Sequence, residues 1–240
     1  MGDHKLKVIS SQGIDQWNQY GKELVDSFLK HWPDDISLIL YTEDIDKFPR
    51  LDNRIILKDL PKLAGKDYYN FMDSLPDRSV WGRCKKFAKK AFSIINEVEN
   101  VNEGYIIWID ADVKTKKDVP IDFLLEVCPH DCLTAHLGLT QYIPKFKNTV
   151  YSSETGFFVI NCEHPDKQKF LKEYKRSYIE KDFEGLRKPF DAEVFARTIK
   201  KIGSNYRELS PDLNLLGPFR KSILSEYMYH YKAKHKKKLI

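Results

Sequence analysis

Tyr105-Ile106-Ile107-Trp108-Ile109-Asp110-Ala111-Asp112-Val113 is an apolar run that stops at two carboxylates spaced i, i+2. Its length and its β-branched and aromatic content are those of a strand buried on both faces, the kind that forms the centre of a parallel sheet. A strand that breaks at Asp110 lets the following turn bring both carboxylates toward one point, where oxygen ligands suit a divalent ion, Mg²⁺ or Mn²⁺. Such an ion can in turn hold a diphosphate. Two aspartates that merely end a strand and open a turn have the same local pattern. The chain carries a second copy, Asp44-Ile45-Asp46, behind the apolar Leu38-Ile39-Leu40-Tyr41. Only the copy at Asp110 and Asp112 has matching partners downstream, so these two are the candidate metal ligands and Asp44 and Asp46 are read as a turn.

Outward from that strand, helices and strands alternate. Leu6 to Ser11 reads as a first strand ending in a turn at Gly13; Trp17, Tyr20, Leu24, Phe28 and Trp32 then fall at helical spacing over Ile14 to His31, closed by Pro33. Ile36 to Tyr41 is a second buried strand and Arg54 to Leu57 a short third. From Trp81 to Val98 an amphipathic helix is expected, with Cys84, Phe87, Ala88, Ala91, Phe92, Ile95 and Val98 on its apolar face and Arg83, Lys85, Lys86, Lys89 and Lys90 covering the rest. Downstream, the pattern predicts a short helix over Ile121 to Val127, strands over Cys132 to Leu139 and Gly156 to Ile160, and helices from Pro165 to about Glu180 and from Ala192 to Ile202. Lys62 to Asp77 and Gln141 to Ser153 read as long surface loops, of the sort that often cover an active site. This alternation implies an α/β fold with a parallel sheet and crossover helices. With no repeat, low-complexity linker or boundary, residues 1–240 read as one domain with a basic tail over about 232–240.

At 240 residues the chain is long enough to bury a real core, roughly 70 to 75% of its unfolded surface. Its 42% hydrophobic and 31% charged residues are those of a globular protein. No run of 18 apolar residues and no apolar segment behind the N-terminus occurs, so neither a membrane span nor a secretory signal is expected, and the expected location is the cytoplasm. Met1-Gly2-Asp3-His4-Lys5-Leu6 lacks the Ser or Thr of a myristoylation signal. Cys84, Cys128, Cys132 and Cys162 contain no CxxC pair and read as reduced thiols. The net charge of +5 is modest, and Lys232, Lys234, Lys236, Lys237 and Lys238 crowd the C-terminal end. Such a tail usually stays solvated, with peripheral contact to phosphates or an acidic membrane surface as its alternative use.

Three further stretches carry chemistry. In Ser152-Ser153-Glu154-Thr155-Gly156-Phe157-Phe158-Val159-Ile160-Asn161 a polar turn feeds a buried strand, which puts Glu154 and Thr155 at a sheet edge beside any ligand there; an ordinary turn reads the same. In Phe190-Asp191-Ala192-Glu193 the Asp191 side chain can cap a helix and Glu193 sits favourably in its first turn. Asp191 is also a candidate carboxylate near the substrate. Finally, His230-Tyr231-Lys232-Ala233-Lys234-His235-Lys236 places a histidine six residues before a lysine. A tail histidine is usually idle, but two aspartates leave a coordination shell incomplete and imidazole suits Mn²⁺. Lys236 would then add positive charge at the phosphates.

Taken in this order, the four stretches resemble the GT-A glycosyltransferases, especially the group that includes glycogenin and bacterial lipopolysaccharide galactosyltransferases, over roughly residues 6 to 236. The resemblance implies a single GT-A domain, Rossmann-like, with a mixed, mostly parallel central sheet flanked by helices. It implies that Asp110-Ala111-Asp112 is the Asp-x-Asp motif, that Glu154-Thr155-Gly156 contacts the sugar, and that Asp191-Ala192-Glu193 is the Asp-containing helix start. His230 becomes the third metal ligand and Lys236 the diphosphate lysine. Arg83, and after it Lys86, take the place of the basic residue that approaches the donor. This chain departs from the group at Ala233, where the group has Gly, at Glu154, where it more often has Asn, and in having no Pro-Trp after Lys236.

The expected activity is metal-dependent transfer of a sugar from a nucleotide-diphosphate donor, a UDP-sugar, to a hydroxyl of a glycan, glycolipid or protein acceptor. An inverting enzyme needs a carboxylate base, for which Asp191 or Glu154 would serve; the resemblance leans toward retention. A phosphatase-like hydrolase would use Asp110 as nucleophile, but its motif normally opens the chain and carries Thr or Val where Lys114 stands. A nucleotidyltransferase lacks here the Gly-rich, Arg-containing loop after the first strand. A basic, non-enzymatic binding module rests only on the tail and on Tyr227, Tyr229 and Tyr231 beside it, and no nucleic-acid partner is expected.

Overall fold

The computed structural model describes residues 5–75, 80–143, 148–184, 186, 188–214 and 217–231. Leu6–Ser11 (β1), Leu38–Thr42 (β2), Ile55–Asp59 (β3) and Tyr105–Ile109 (β4) form the parallel part of a seven-stranded sheet. Asn148–Asn161 (β7) pairs antiparallel with β4 and with Thr134–Ile143 (β6), and Tyr206–Glu208 (β8) lies parallel beside β6, giving the order β3-β2-β1-β4-β7-β6-β8. The sheet is mixed and mostly parallel where the first half of the chain builds it. Val113–Thr115 (β5) and Met228–His230 (β9) form a separate two-stranded ribbon.

β4 is central because it is apolar on both sides. Ile106 and Trp108 enter one core cluster with Phe92, Phe158 and Phe195, while Ile107 and Ile109 enter the other with Phe28, Phe157 and Met228; all four β4 side chains are at most 1% exposed. Burying each of them fully contributes on the order of 1.5–3 kcal/mol, and only a strand covered on both faces can collect it from consecutive residues. The first face is covered by Leu60–Asp73 (α3), Val80–Asn100 (α4), Lys167–Ile179 (α6) and Asp191–Ile202 (α7). The second is covered by Lys22–His31 (α2), Ile121–Glu126 (α5) and the C-terminal segment.

Most elements stand where the periodicity puts them, with three differences. The helix expected over Ile14 to His31 is Ile14–Gln16 (α1), a π-helical turn at Trp17–Gly21, and α2. The expected loop over Lys62 to Asp77 is largely α3. Asp59 caps α3, its Oδ1 accepting from the Lys62 amide at 3.0 Å, and Leu60, Tyr68 and Phe71 are its buried residues. Gly65, at φ +62°, kinks α3 and breaks the spacing that would have revealed it. The expected loop over Gln141 to Ser153 is instead a strand pair whose register runs out to Ile143↔Asn148. Beyond Leu139 β6 has its strand register with β7 alone among the described strands, with one further bond from the Thr140 amide to the Leu213 carbonyl, and its sequence has no long apolar run. Asp44 and Asp46 behave as a turn: Asp44 Oδ2 accepts from the Ile14 amide at 3.2 Å and Oδ1 pairs with Lys47 at 2.8 Å. None of the four cysteines is in a disulfide, and Cys84, Cys128 and Cys162 are buried.

His136, on β6, is fully buried with Nε2 2.8 Å from the Tyr151 hydroxyl and rings of Phe195 and Tyr206 around it. Burial pushes its imidazole down to about 3. The unfolded chain takes up this proton below its ordinary value near 6.5 while the folded protein does not. Stability is therefore unaffected above that pH and falls by about 1.4 kcal/mol per pH unit below it, until the folded value is reached. Urea unfolding of His136→Leu between pH 6.5 and 5 is expected to show a slope shallower by about one proton than the wild type, whatever its absolute stability.

Candidate active site

The end of β4 is fixed by β7. Ile109 pairs with Phe157, the Asp110 amide donates to the Gly156 carbonyl at 2.9 Å, and the Val113 amide closes the turn onto the Asp110 carbonyl at 2.9 Å. The chain then enters β5, whose Val113 pairs with His230 of β9, and the Tyr231 amide donates to the Asp112 carbonyl at 2.9 Å. The turn that swings Asp112 round thus delivers a histidine 118 residues away. His230 Nε2 lies 3.1 Å from Asp112 Oδ1 and 3.9 Å from Asp110 Oδ2, and the three residues offer ligand atoms all within 4.8 Å of one another. Two carboxylates and an imidazole, converging from one turn and one short strand, form a donor set that fits Mn²⁺ or Mg²⁺. Asp112 and His230 sit largely out of water, with side chains 13% and 8% exposed.

A bulge in β7 arranges the other half of the site. Leu137 pairs with Glu154 and the next residue back on β6, His136, pairs with Phe158, so one step of β6 spans four of β7. Side-chain alternation breaks there. Phe157 faces the second cluster and Phe158 the first, yet Gly156 also lies on the second side, against His230, while Thr155 turns to α7. Thr155 Oγ1 donates to Asp191 Oδ2 at 2.5 Å, and the Thr155 carbonyl accepts from Lys90. Gly156 is required by packing: a Cβ built on it would lie 2.6 Å from His230 Nδ1 and Cε1. Gly156→Ala is expected to displace the imidazole and weaken Mn²⁺ binding at least about tenfold, as loss of a ligand's support does, read by calorimetric titration of the metal.

Asp191 does not cap its helix. Phe190 is the N-cap, and Asp191, the first residue of α7, points its carboxylate at Lys90 Nζ, 2.9 Å away. Lys90 Nζ is also 2.9 Å from Asp110 Oδ1 and lies 4.9 Å from the centre of the Trp108 ring, while Trp108 Nε1 donates to the same Asp110 oxygen at 2.7 Å. One buried ammonium therefore ties the metal-motif aspartate to Asp191. Burial opposes its charge, but Asp110 and Asp191 outweigh this and hold Lys90 above its ordinary value. Burial pushes the Asp110 carboxyl up, with Asp112 adding to the shift and Lys90 and His230 opposing it. At His230 burial favours the neutral ring, yet Asp112 and Glu154 prevail and hold it up to about 9.

A cavity of about 540 Å³ opens over these groups, within the size range of small-molecule sites. Asp110, Ala111, Asp112, Glu154, Thr155, Gly156, Asp191 and Lys86 all line it, so the structure gathers most of the sequence-predicted residues in one place. The side chain of Arg83 and the whole of Lys236, with the rest of the tail from Lys232, lie outside the described residues. Lys90 was legible only as part of a solvated face, whereas it is 5% exposed. The signal that could have found it is its spacing: Phe87, Lys90, Ile94 and Glu97 form one stripe of α4, and Lys90, Ile94 and Glu97 are all buried. Ser11 at the end of β1, Gln16 of α1, Tyr20 of the π-helical turn and the Phe87–Phe190 ring pair, 4.7 Å between centroids, also line the cavity.

No helix among the described residues is long and apolar enough to cross a membrane. No protein-family model matches this chain, and no curated protein sequence does. Solved structures do match. Mouse xyloside xylosyltransferase 1 superposes with a TM-score of 0.56 at 12% identity, over 95% of this chain and 98% of that one. The galactosyltransferase LgtC, in complex with donor and acceptor sugar analogues, gives 0.55 at 12% identity over 95% of this chain and 87% of that one. The bifunctional glycosyltransferase WbbM gives 0.57 at 13% identity over 97% of this chain, which spans 46% of WbbM. With its mixed seven-stranded sheet, its flanking helices and the Asp-Ala-Asp turn at the end of the fourth strand, the chain has the fold of the GT-A glycosyltransferases.

Proposed function

We propose that this protein is a metal-dependent glycosyltransferase that moves a sugar from a nucleotide-diphosphate donor, a UDP-sugar, to an acceptor hydroxyl on a glycan, glycolipid or protein. The observation that carries the reading is the meeting of Asp110, Asp112 and His230 beside the cavity that both aspartates line. These three residues would hold Mn²⁺ or Mg²⁺, and the ion when bound supplies Lewis-acid neutralisation of the departing diphosphate. The chain's own residues do the rest. Lys90 sets its ammonium between Asp110 and Asp191, 2.9 Å from each, and so joins the carboxylate that faces the cation to the one that faces the sugar. Thr155 orients Asp191 through its hydroxyl. Lys86 at the cavity rim adds positive charge where the leaving group accumulates negative charge, a role the resemblance also gives to Arg83 and Lys236, whose side chains lie outside what the structure describes.

Retention of the anomeric configuration is the stereochemistry we assign. Inversion requires a carboxylate base directed at the acceptor hydroxyl. Both candidates have other engagements: Asp191 is bound by Lys90 and Thr155, and Glu154 lies 3.0 Å from His230 Nδ1. A panel of nucleotide sugars tested for thermal stabilisation with and without Mn²⁺ is expected to single out one donor whose effect needs the metal, since a ligand that binds only the native state raises its melting temperature. Proton NMR of the first-formed product is then expected to show the donor's anomeric configuration; an inverted product contradicts the assignment of retention.

A further inference from the structure

The imidazole of His230 has a carboxylate at each edge. Nε2 faces the aspartates, 3.1 Å from Asp112 Oδ1, and Nδ1 lies 3.0 Å from Glu154 Oε1, with the His230 and Glu154 side chains each 8% exposed. Nδ1 is buried and has no aligned acceptor, and the carboxylate beside it is the acceptor at hand. We infer that Glu154 is a positioning residue for the metal site: it keeps the proton of the neutral ring on Nδ1, so that the lone pair of Nε2 is the one presented to the cation. The inference rests on the metal reading proposed above and adds a residue to it.

The local geometry explains why this residue reaches the ring. The bulge places Glu154 and Gly156 on the same side of β7, toward β9, while Thr155 between them turns to Asp191. Gly156, lacking a side chain, lets the imidazole lie against the strand, and Glu154 then stands at its Nδ1 edge. The chemistry explains why a carboxylate suits the position. A neutral imidazole carries its proton on one nitrogen only, and coordination needs the other; an acceptor at Nδ1 selects the required tautomer and fixes the plane of the ring. A carboxylate can only accept. An amide of the same shape can turn either its carbonyl or its NH₂ toward the ring, and the NH₂ favours the wrong tautomer. The group whose ligand atoms converge comprises Asp110, Asp112 and His230 and does not include Glu154, so Glu154 acts through the histidine.

The test is Mn²⁺ binding by the full chain without nucleotide, read from the electron paramagnetic resonance signal of the free ion. Glu154→Ala is expected to weaken binding about 10- to 100-fold, the usual effect of removing a ligand's outer partner. The isosteric Glu154→Gln, which guards against a folding defect in the alanine variant, keeps an acceptor but not the charge and is expected to lose about fivefold. Because Glu154 acts through the ring, adding Glu154→Ala to a His230→Ala background is expected to cost less than about threefold more. Wild-type binding by Glu154→Ala, or an equal loss in the presence and absence of His230, overturns the inference. A wild-type protein that binds no Mn²⁺, or an Asp112→Asn variant that binds as tightly as wild type, instead overturns the metal reading beneath it.

Discussion

Asp112→Asn is expected to lower sugar transfer by about a thousandfold or more, the scale set by removing a group that stabilises charge in a transition state. The protein should nevertheless stay folded. Asp112 belongs to a turn whose backbone is secured from both sides, through the Val113 amide on the Asp110 carbonyl and the Tyr231 amide on the Asp112 carbonyl, and neither bond involves its side chain. Asparagine is nearly isosteric with aspartate and keeps an oxygen at the position that in the wild type lies 3.1 Å from His230 Nε2. What is lost is one of two negative charges facing the cation. The check is release of nucleoside diphosphate from the donor identified by thermal shift, alongside melting curves. A folded variant with undiminished metal-dependent turnover contradicts the role given to Asp112.

Lys90→Met is expected to do damage of a different kind, in stability as well as rate. Its ammonium is the shared partner of Asp110 and Asp191, 2.9 Å from each, and its side chain is 7% exposed. Methionine fills much of the same space but leaves two carboxylates facing each other with no cation, and breaking a buried pair from one side costs about 3–5 kcal/mol. Lys90→Arg keeps the charge but must fit a planar fork into a slot shaped for a compact ammonium, so it recovers only part of the loss. Mn²⁺ restores some stability to Lys90→Met by supplying positive charge beside Asp110, an effect that mass action makes dependent on metal concentration. Turnover falls about a hundredfold in Lys90→Met, because Asp110 and Asp191 lose the group that orients them. Chemical denaturation with and without Mn²⁺ reads the stability change; a Lys90→Met protein as stable as wild type in chelator would show that the pairing contributes little.

The parts of this fold legible in the sequence are those where burial writes a pattern. Tyr105 to Ile109 could be recognised because both faces of β4 are covered, so consecutive residues are apolar and the carboxylates at its end stand out. α4, α6 and α7 repeat cleanly enough to be placed within a residue or two, and α2 was placed at its C-terminal end. Features that depend on distant partners were not legible from pattern. His230 has little local signal, since β9 is a three-residue strand that exists by pairing with β5; the incomplete shell left by two aspartates suggested it, and the resemblance to GT-A enzymes gave it the place of third ligand. Lys90 lies among lysines that are solvated, and its burial follows from α4 being covered on nearly every side by the sheet and by α3, α6 and α7. Glu154 and Thr155 read as a polar turn at a sheet edge, whereas they lie within β7 between β4 and β6, and the bulge that sends Thr155 to Asp191 and Gly156 to His230 depends on register between β6 and β7, which a single strand does not carry. Asp191 was read as a cap because its position allows it; the buried ammonium nearby draws it away.

The central claim is that Asp110, Asp112 and His230 hold one divalent ion against a nucleoside diphosphate. Crystals of the protein grown with Mn²⁺ and uridine diphosphate, measured near the manganese absorption edge, test it most directly. A single strong anomalous peak is expected within coordination distance of both aspartates and of His230 Nε2, with the diphosphate oxygens completing its shell. Manganese bound elsewhere, or nucleotide seated in the cavity with no anomalous signal at these three residues, would contradict it.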